Sequence, residues 1–169
     1  MNNEKKSKIN SYLTFKLGNE FFAASVSKVL NILEMAKVTK VPKAPLYMKG
    51  VINLRGSVLP LVDTRIKFDM PETEYTNNTC ILVLDIILNN ESVHVGALVD
   101  SVQEVLEIDD INIQPPPSIG TRYRSEFIDG IVKVDEEFIM ILNMDLIFST
   151  DELSILKESF KEGQEEPVK

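Results

Sequence analysis

One hairpin-forming segment occurs twice in this chain, and that repetition limits the possible folds more than any other feature. YMKGVINLRGSVLPLVDTRIKF runs from Tyr47 to Phe68, and FIDGIVKVDEEFIMILNMDLIF from Phe127 to Phe148. Laid over each other without a gap, the two share a glycine (Gly50, Gly130) and the closing phenylalanine, and ten further positions are apolar in both. In each copy a short polar tip, LRGS or VDEE, divides two apolar runs, the signature of a β-hairpin. Gly56 can supply a positive φ at the first tip. The tips differ in charge: Arg55 and Gly56 stand where the second copy has Asp135 and Glu136.

The repeat extends upstream. VSKVLNI (Val26 to Ile32) corresponds to VQEVLEI (Val102 to Ile108), and each precedes an extended segment ending in proline, VTKVPKAP and INIQPPP. EFFAAS and SVHVGALV lead into the two copies, the latter placing Val93, Val95, Ala97 and Val99 on one strand face. TCILVLDIIL is a nearly continuous apolar run between asparagine pairs, suited to a central strand buried on both sides. Pro60 lacks an amide donor, so its strand is expected at an edge or with a bulge. Many short strands at regular spacing predict a mainly β protein of two small tandem barrels, residues 11–75 and 79–148, with strand exchange between them open. Barrels this small are marginal alone and are expected to share an apolar seam. STDELSILKESFKE predicts a C-terminal helix over 149–162, with Ser149 and Glu152 spaced as a capping box. Residues 1–10 and 163–169 read as disordered tails.

Composition narrows the function. The chain has 169 residues, 44% hydrophobic and 26% charged, with a net charge of −8. That field repels nucleic acid, and no basic stripe interrupts it. Lys37, Lys40, Lys43 and Lys49 form a weak cluster, read as solvated surface or as a contact for an acidic partner. No apolar run is long enough to span a bilayer, and MNNEKKSKIN has no apolar signal core, so neither insertion nor secretion is expected. The single cysteine, Cys80, cannot form an internal disulfide, which leaves the cytoplasm as the default. His94, the only histidine, lies in an alternating strand and is a poor catalytic candidate. Zinc ligands are too few, no nucleotide-binding glycine motif occurs, and adjacent acids such as Asp109-Asp110 point to opposite strand faces. The residues therefore point away from an enzyme and from metal or cofactor binding.

YMKGVINLRGSVLPLVDTRIKF, together with FKLGNEFFAASVSKVLNI, VGALVDSVQEVLEI and FIDGIVKVDEEFIMILNMDLIF in the same order, resembles the chemotaxis coupling (CheW) family. The resemblance covers about residues 11 to 160. It implies two SH3-like five-stranded barrels and a non-enzymatic adaptor joining chemoreceptor tips to the regulatory domain of the chemotaxis histidine kinase. It further implies kinase or receptor contact at Val29, Asn31, Ile32, Gly50, Arg55, Gly56, Ile81, Gly96 and Val105. Asn31 departs from the family, which commonly has an acidic residue there, and FFAAS replaces a more usual aromatic-Gly-Ile. Both departures bear on partner identity rather than on fold.

Several of these residues also have a plain structural reading. Gly50 has an equal in Gly130, and Gly96 suits close backbone approach within a sheet. Val29, Val105 and Ile81 fit a core as well as an apolar contact. Arg55 can make bidentate contacts that Asp135 cannot, or it can be an exposed turn residue. The rival functions are a coupling paralogue in a non-chemotaxis receptor–kinase pathway and an OB-like nucleic-acid barrel. The absence of Trp and of a basic groove disfavours the latter.

Overall fold

The computed structural model describes residues 7–116 and 127–148. The ten strands are β1 (Ile9–Leu17), β2 (Glu20–Ser25), β3 (Val29–Glu34), β4 (Met48–Leu54), β5 (Ser57–Asp63), β6 (Cys80–Leu88), β7 (Glu91–Val99), β8 (Ser101–Asp109), β9 (Ile128–Val134) and β10 (Glu137–Leu142). Short helices α1 (Thr64–Lys67) and α2 (Met144–Phe148) follow the two repeated hairpins. The helix expected over 149–162 and the tail 163–169 lie outside the described residues. The start of the chain differs from expectation within the described part. Ile9 and Asn10 belong to β1 and pair with Asp109 and Ile108, because β8 offers them a ladder.

The strands form two five-stranded sheets, β8-β1-β2-β10-β9 and β3-β6-β7-β5-β4. Sequence order would put 11–75 in one barrel and 79–148 in the other, and the pairing divides them differently. The central barrel is continuous from Val29 to Val99, while the terminal barrel joins β1 and β2 to β8, β9 and β10. Each repeat thus gives its first hairpin to one barrel and its last three strands to the other. Local periodicity is the same in both repeats and cannot choose between contiguous and exchanged partners, which only contacts through space decide.

Each sheet closes on itself where the extended segment after its edge strand bridges the far edge. Thr39 N–H donates to Val51 C=O (2.9 Å) and Thr39 C=O accepts from Val51 N–H (2.8 Å), and Gln114 exchanges the same pair with Ile131. Gly50 and Gly130 sit at these crossings. A Cβ on Gly50, whose φ is +146°, would come within 2.2 Å of the Thr39 carbonyl oxygen, and one on Gly130 within 2.3 Å of Ile113 Cγ2. The shared glycine therefore lets one backbone pass close over another.

Alternation sorts the apolar residues into three cores. Leu13, Phe15, Leu17 and Phe22 on β1 and β2 pack with Leu82, Leu84, Ile86, Val95, Ala97 and Val99 on β6 and β7, forming the seam between the barrels. Phe68, Phe127 and Phe148 complete it, with Phe22 and Phe68 stacked at 5.6 Å between centroids. The opposite faces fill each barrel: Ile52, Leu59, Leu61, Ile81, Val83 and Leu98 in the central one, Ala23, Ile108, Val132, Ile139 and Ile141 in the terminal one. A residue shift of one along β6 would exchange seam and barrel faces, so the register is strongly fixed.

Pro60 lies on an interior strand, against expectation. Val51, opposite Pro60, spends its own N–H and C=O on Thr39, so Pro60 is not asked to donate to β4. On its other side the parallel pairing of β5 to β7 begins only at Leu61. The irregularity of this hairpin falls instead between Met48 and Gly50.

Candidate functional site

The two hairpin tips have the same backbone. Arg55 and Gly56 have φ of 51° and 86°, and Asp135 and Glu136 have 47° and 66°. Positive φ at both central residues is the turn that matches strand twist in a two-residue hairpin. At the first tip Asn53 Oδ1 also accepts from Gly56 N–H (2.8 Å). A Cβ on Gly56 would meet nothing within 4 Å, so its glycine answers to backbone conformation alone. Arg55 is exposed and forms no ion pair with any described residue. Val58 beside it is 52% exposed. From Met35 to Val62 the chain has no acidic residue but carries Lys37, Lys40, Lys43, Lys49 and Arg55, a local reversal of the overall charge of −8.

Strand β3 is an edge strand of the central sheet and, among the described residues, pairs only with β6. Its register shifts between Val29 and Asn31, which leaves Leu30 opposite no partner. Leu30 and Ile32 are 51% and 44% exposed, and Asn31 is exposed with its Oδ1 accepting from Ile32 N–H (2.8 Å). Among the described residues nothing pairs with the outer edge of β3, which presents these apolar side chains to solvent. Val29 itself turns inward and packs against the seam. Its repeat counterpart Val105, on edge strand β8 of the other barrel, is 57% exposed.

Gly50, Ile81 and Gly96 are buried. Ile81 is in the central barrel's core, and a Cβ on Gly96 would crowd Ile81, Leu59 and Leu61 at 3.0–3.4 Å. These three shape the barrel under the surface that Asn31, Ile32, Arg55 and Gly56 expose. The two departures from the family pattern fall on different barrels, Asn31 on β3 and FFAAS on β2, because the chain crosses between barrels at Val26–Lys28. Leu30 and Val58 were not singled out by sequence. Both look like ordinary strand positions, and only the bulge and the hairpin tip expose them.

Beside the Thr39–Val51 crossing lies a hollow of about 400 Å³ lined by Met35, Ala36, Val38, Lys40, Lys49 and Tyr75. Lys49 pairs there with Glu72 and stands 4.0 Å from Asp63. Burial, and then the Asp63 charge, pushes the Tyr75 phenol above its ordinary pKa. Asp63 is fully buried and satisfied by Thr73 N–H and hydroxyl and by Arg65 N–H, which it caps at the start of α1. Its repeat counterpart Asn143 accepts from Leu146 N–H in α2. Asp63 is therefore a structural carboxylate. His94 is exposed on β7 opposite Asp85. Among the described residues no cluster of three His, Cys, Asp or Glu could hold a metal, and no helix is long and apolar enough to cross a membrane.

Two closed barrels with a shared seam, an exposed apolar edge, and an arginine at a hairpin tip that is unpaired among the described residues have the form of a protein-binding scaffold. A family model for the CheW-like domain matches residues 11–152, and the chain belongs to that family of chemotaxis coupling scaffolds. It is 34% identical over 140 residues to the chemotaxis protein CheW of Rhizobium meliloti, covering 83% of this chain and 88% of that one. It is 31% identical over 145 residues to the CheW of Klebsiella aerogenes, covering 86% and 85%. Its fold is similar to the crystal structure of the scaffolding protein TtCheW from Thermoanaerobacter tengcongensis, with a TM-score of 0.75 at 26% identity, over 90% of this chain and 96% of that one.

Proposed function

We propose that this chain works in the bacterial cytoplasm as a non-enzymatic coupler, holding chemoreceptor tips and the regulatory domain of the chemotaxis histidine kinase together. The observation that carries this reading is the exposed strip of β3 (Leu30, Asn31, Ile32) on the same barrel as the exposed, unpaired Arg55. The apolar edge supplies contact area, and Arg55 supplies a directed charge-assisted bond. Val105, on the other barrel, offers a second apolar contact. Gly50, Ile81, Gly96 and Val29 support these contacts from beneath.

The test is reconstitution. Purified protein should hydrolyse no ATP by itself and be indifferent to chelators. Added to kinase and receptor together, it should change kinase autophosphorylation, and added to either alone it should not. Nucleotide hydrolysis by the purified protein that disappears with His94→Ala would overturn the reading. Capture from native cytoplasm of a kinase and receptor outside chemotaxis would point to a paralogous pathway instead.

A further inference from the structure

Strand β3 carries the candidate docking strip, yet little of its own packing holds it. None of its six residues is buried: Val29 and Leu33 are half-buried, and Leu30, Asn31, Ile32 and Glu34 are exposed. Among the described residues its one neighbour is β6, and the bulge at Leu30 interrupts even that ladder. A segment with so few buried contacts belongs to the low-stability end of a fold and opens locally before the whole chain unfolds. A one-residue slip along β6 would also send Leu30 and Ile32 to the opposite face. Only the ordered strip can bind, and apparent affinity falls with the fraction of molecules that hold it.

Both ends of β3 are tied down. Downstream, the chain is fixed where Thr39 crosses Val51. Upstream, the turn Val26–Lys28 is ordered by Ser25, whose Oγ accepts from Ser27 N–H at 3.3 Å, and by Val29 N–H donating to Val26 C=O. Lys28 is the last residue before β3. Its Nζ donates to Asp145 of α2, standing 2.9 Å from Oδ1 and 2.7 Å from Oδ2. Asp145 Oδ1 also accepts from Ile87 N–H at 2.9 Å, in β6, the strand on which β3 lies. One carboxylate of the terminal barrel thus fastens the start of β3 to the far end of its only partner, next to the bulge.

The Lys28 and Asp145 side chains are 26% and 32% exposed, and an ion pair this exposed adds little to global stability. Its effect is local, on the strand that follows. A second ion pair gives the contrast. Arg65 Nε donates to Asp100 Oδ1 at 2.8 Å, with side chains 20% and 21% exposed, and that pair bonds α1 to the residue between β7 and β8 rather than to β3 or the turn before it.

We infer that Lys28 and Asp145 are positioning residues for partner binding: their ion pair holds β3 in register, so that Leu30, Asn31 and Ile32 are presented ready-formed. The inference rests on the reading of that strip as a partner surface.

The test uses the full-length chain and reads β3 with and without partners. Lys28→Ala should speed amide hydrogen exchange in β3 about tenfold and leave Val95 and Ala97 in β7 unchanged. Its melting temperature should fall by no more than about 3 °C, the shift for an exposed ion pair in a chain of this size. Affinity for the partner that docks on the strip, kinase or receptor, should drop about fivefold. Lys28→Arg keeps the charge and the donors and should retain both properties. Arg65→Ala should lower the melting temperature at least as much, yet leave β3 exchange and both affinities within about twofold of the parent chain. The inference is overturned if Lys28→Ala leaves β3 exchange at the parent rate, if it quickens exchange without weakening either partner, or if Lys28→Arg behaves like Lys28→Ala. It is also overturned if Arg65→Ala disturbs β3 and binding equally, which would make both effects a matter of global stability. A Leu30→Asp variant that keeps both affinities would instead remove the docking reading of the strip, and this role for the pair with it.

Discussion

The β4–β5 and β9–β10 hairpins are the same object built twice. Both pass under a crossing segment at a glycine, both turn with two residues at positive φ, and both expose an apolar side chain just after the tip, Val58 at 52% and Phe138 at 61%. They differ in side-chain chemistry at the tip, where the shared turn demands only positive φ, Arg55-Gly56 against Asp135-Glu136. The glycine and the apolar stripe are therefore requirements of the barrel, and the tip is where one copy could acquire a partner. The two glycines also differ in degree. Gly50 combines a positive φ with a backbone carbonyl at 2.2 Å, whereas at Gly130 the nearest obstacle is the Ile113 Cγ2 methyl at 2.3 Å and the nearest backbone atom, the Gln114 carbonyl oxygen, is at 2.9 Å.

The largest effect should come from separating the copies. A cut between residues 75 and 79 removes β6 and β7 from the central sheet and β8, β9 and β10 from the terminal one. Neither fragment should show a cooperative thermal transition or dispersed NMR signals. Two independently melting halves would mean that the exchanged pairing is dispensable.

Next come the glycines. Gly50→Ala should cost about 3 kcal/mol or more in denaturant unfolding, since it must displace backbone as well as adopt a strained φ. Gly130→Ala should cost about 1–3 kcal/mol, the range of an overpacked side-chain contact. Equal costs would show that the two crossings are energetically alike.

The tips should separate binding from folding. Arg55→Ala should move stability by less than about 0.5 kcal/mol, as exposed substitutions usually do. It should weaken kinase or receptor binding by roughly 1–3 kcal/mol, the value of a charge-assisted hydrogen bond. Asp135→Ala should do little to either. Arg55→Lys keeps the charge but loses the planar fork, so a bidentate contact would still suffer in a calorimetric titration. If Arg55→Ala leaves both affinities unchanged, the charge difference between the tips has no part in partner binding.

The smallest effect is on the second turn itself. Glu136 holds a φ of 66° that glycine adopts freely. Glu136→Gly should therefore stabilise the chain by up to about 1 kcal/mol, and Gly56→Ala should destabilise it by a similar amount. Melting curves of the two variants would check the opposite signs.

The period-two apolar pattern, the repeated hairpin and the turn residues were enough to determine a mainly β protein of two small barrels sharing a seam. Those features are local, and each residue carries its own part of the signal. The seam follows because β2 and β6 are apolar on both faces and must be covered twice. The sequence also marked Arg55 as the place where the copies diverge. Tertiary structure alone decided which strands share a barrel, since two repeats with the same pattern offer equivalent partners along the chain. It also decided that Gly50, Ile81 and Gly96 lie inside while Leu30, Ile32 and Val58 lie outside. An apolar residue on a strand has the same periodicity whether its face meets a core or solvent. Which face is covered depends on the β3 bulge, on the edge position of the strand and on where the Thr39 crossing falls, all of which are contacts between residues far apart in sequence.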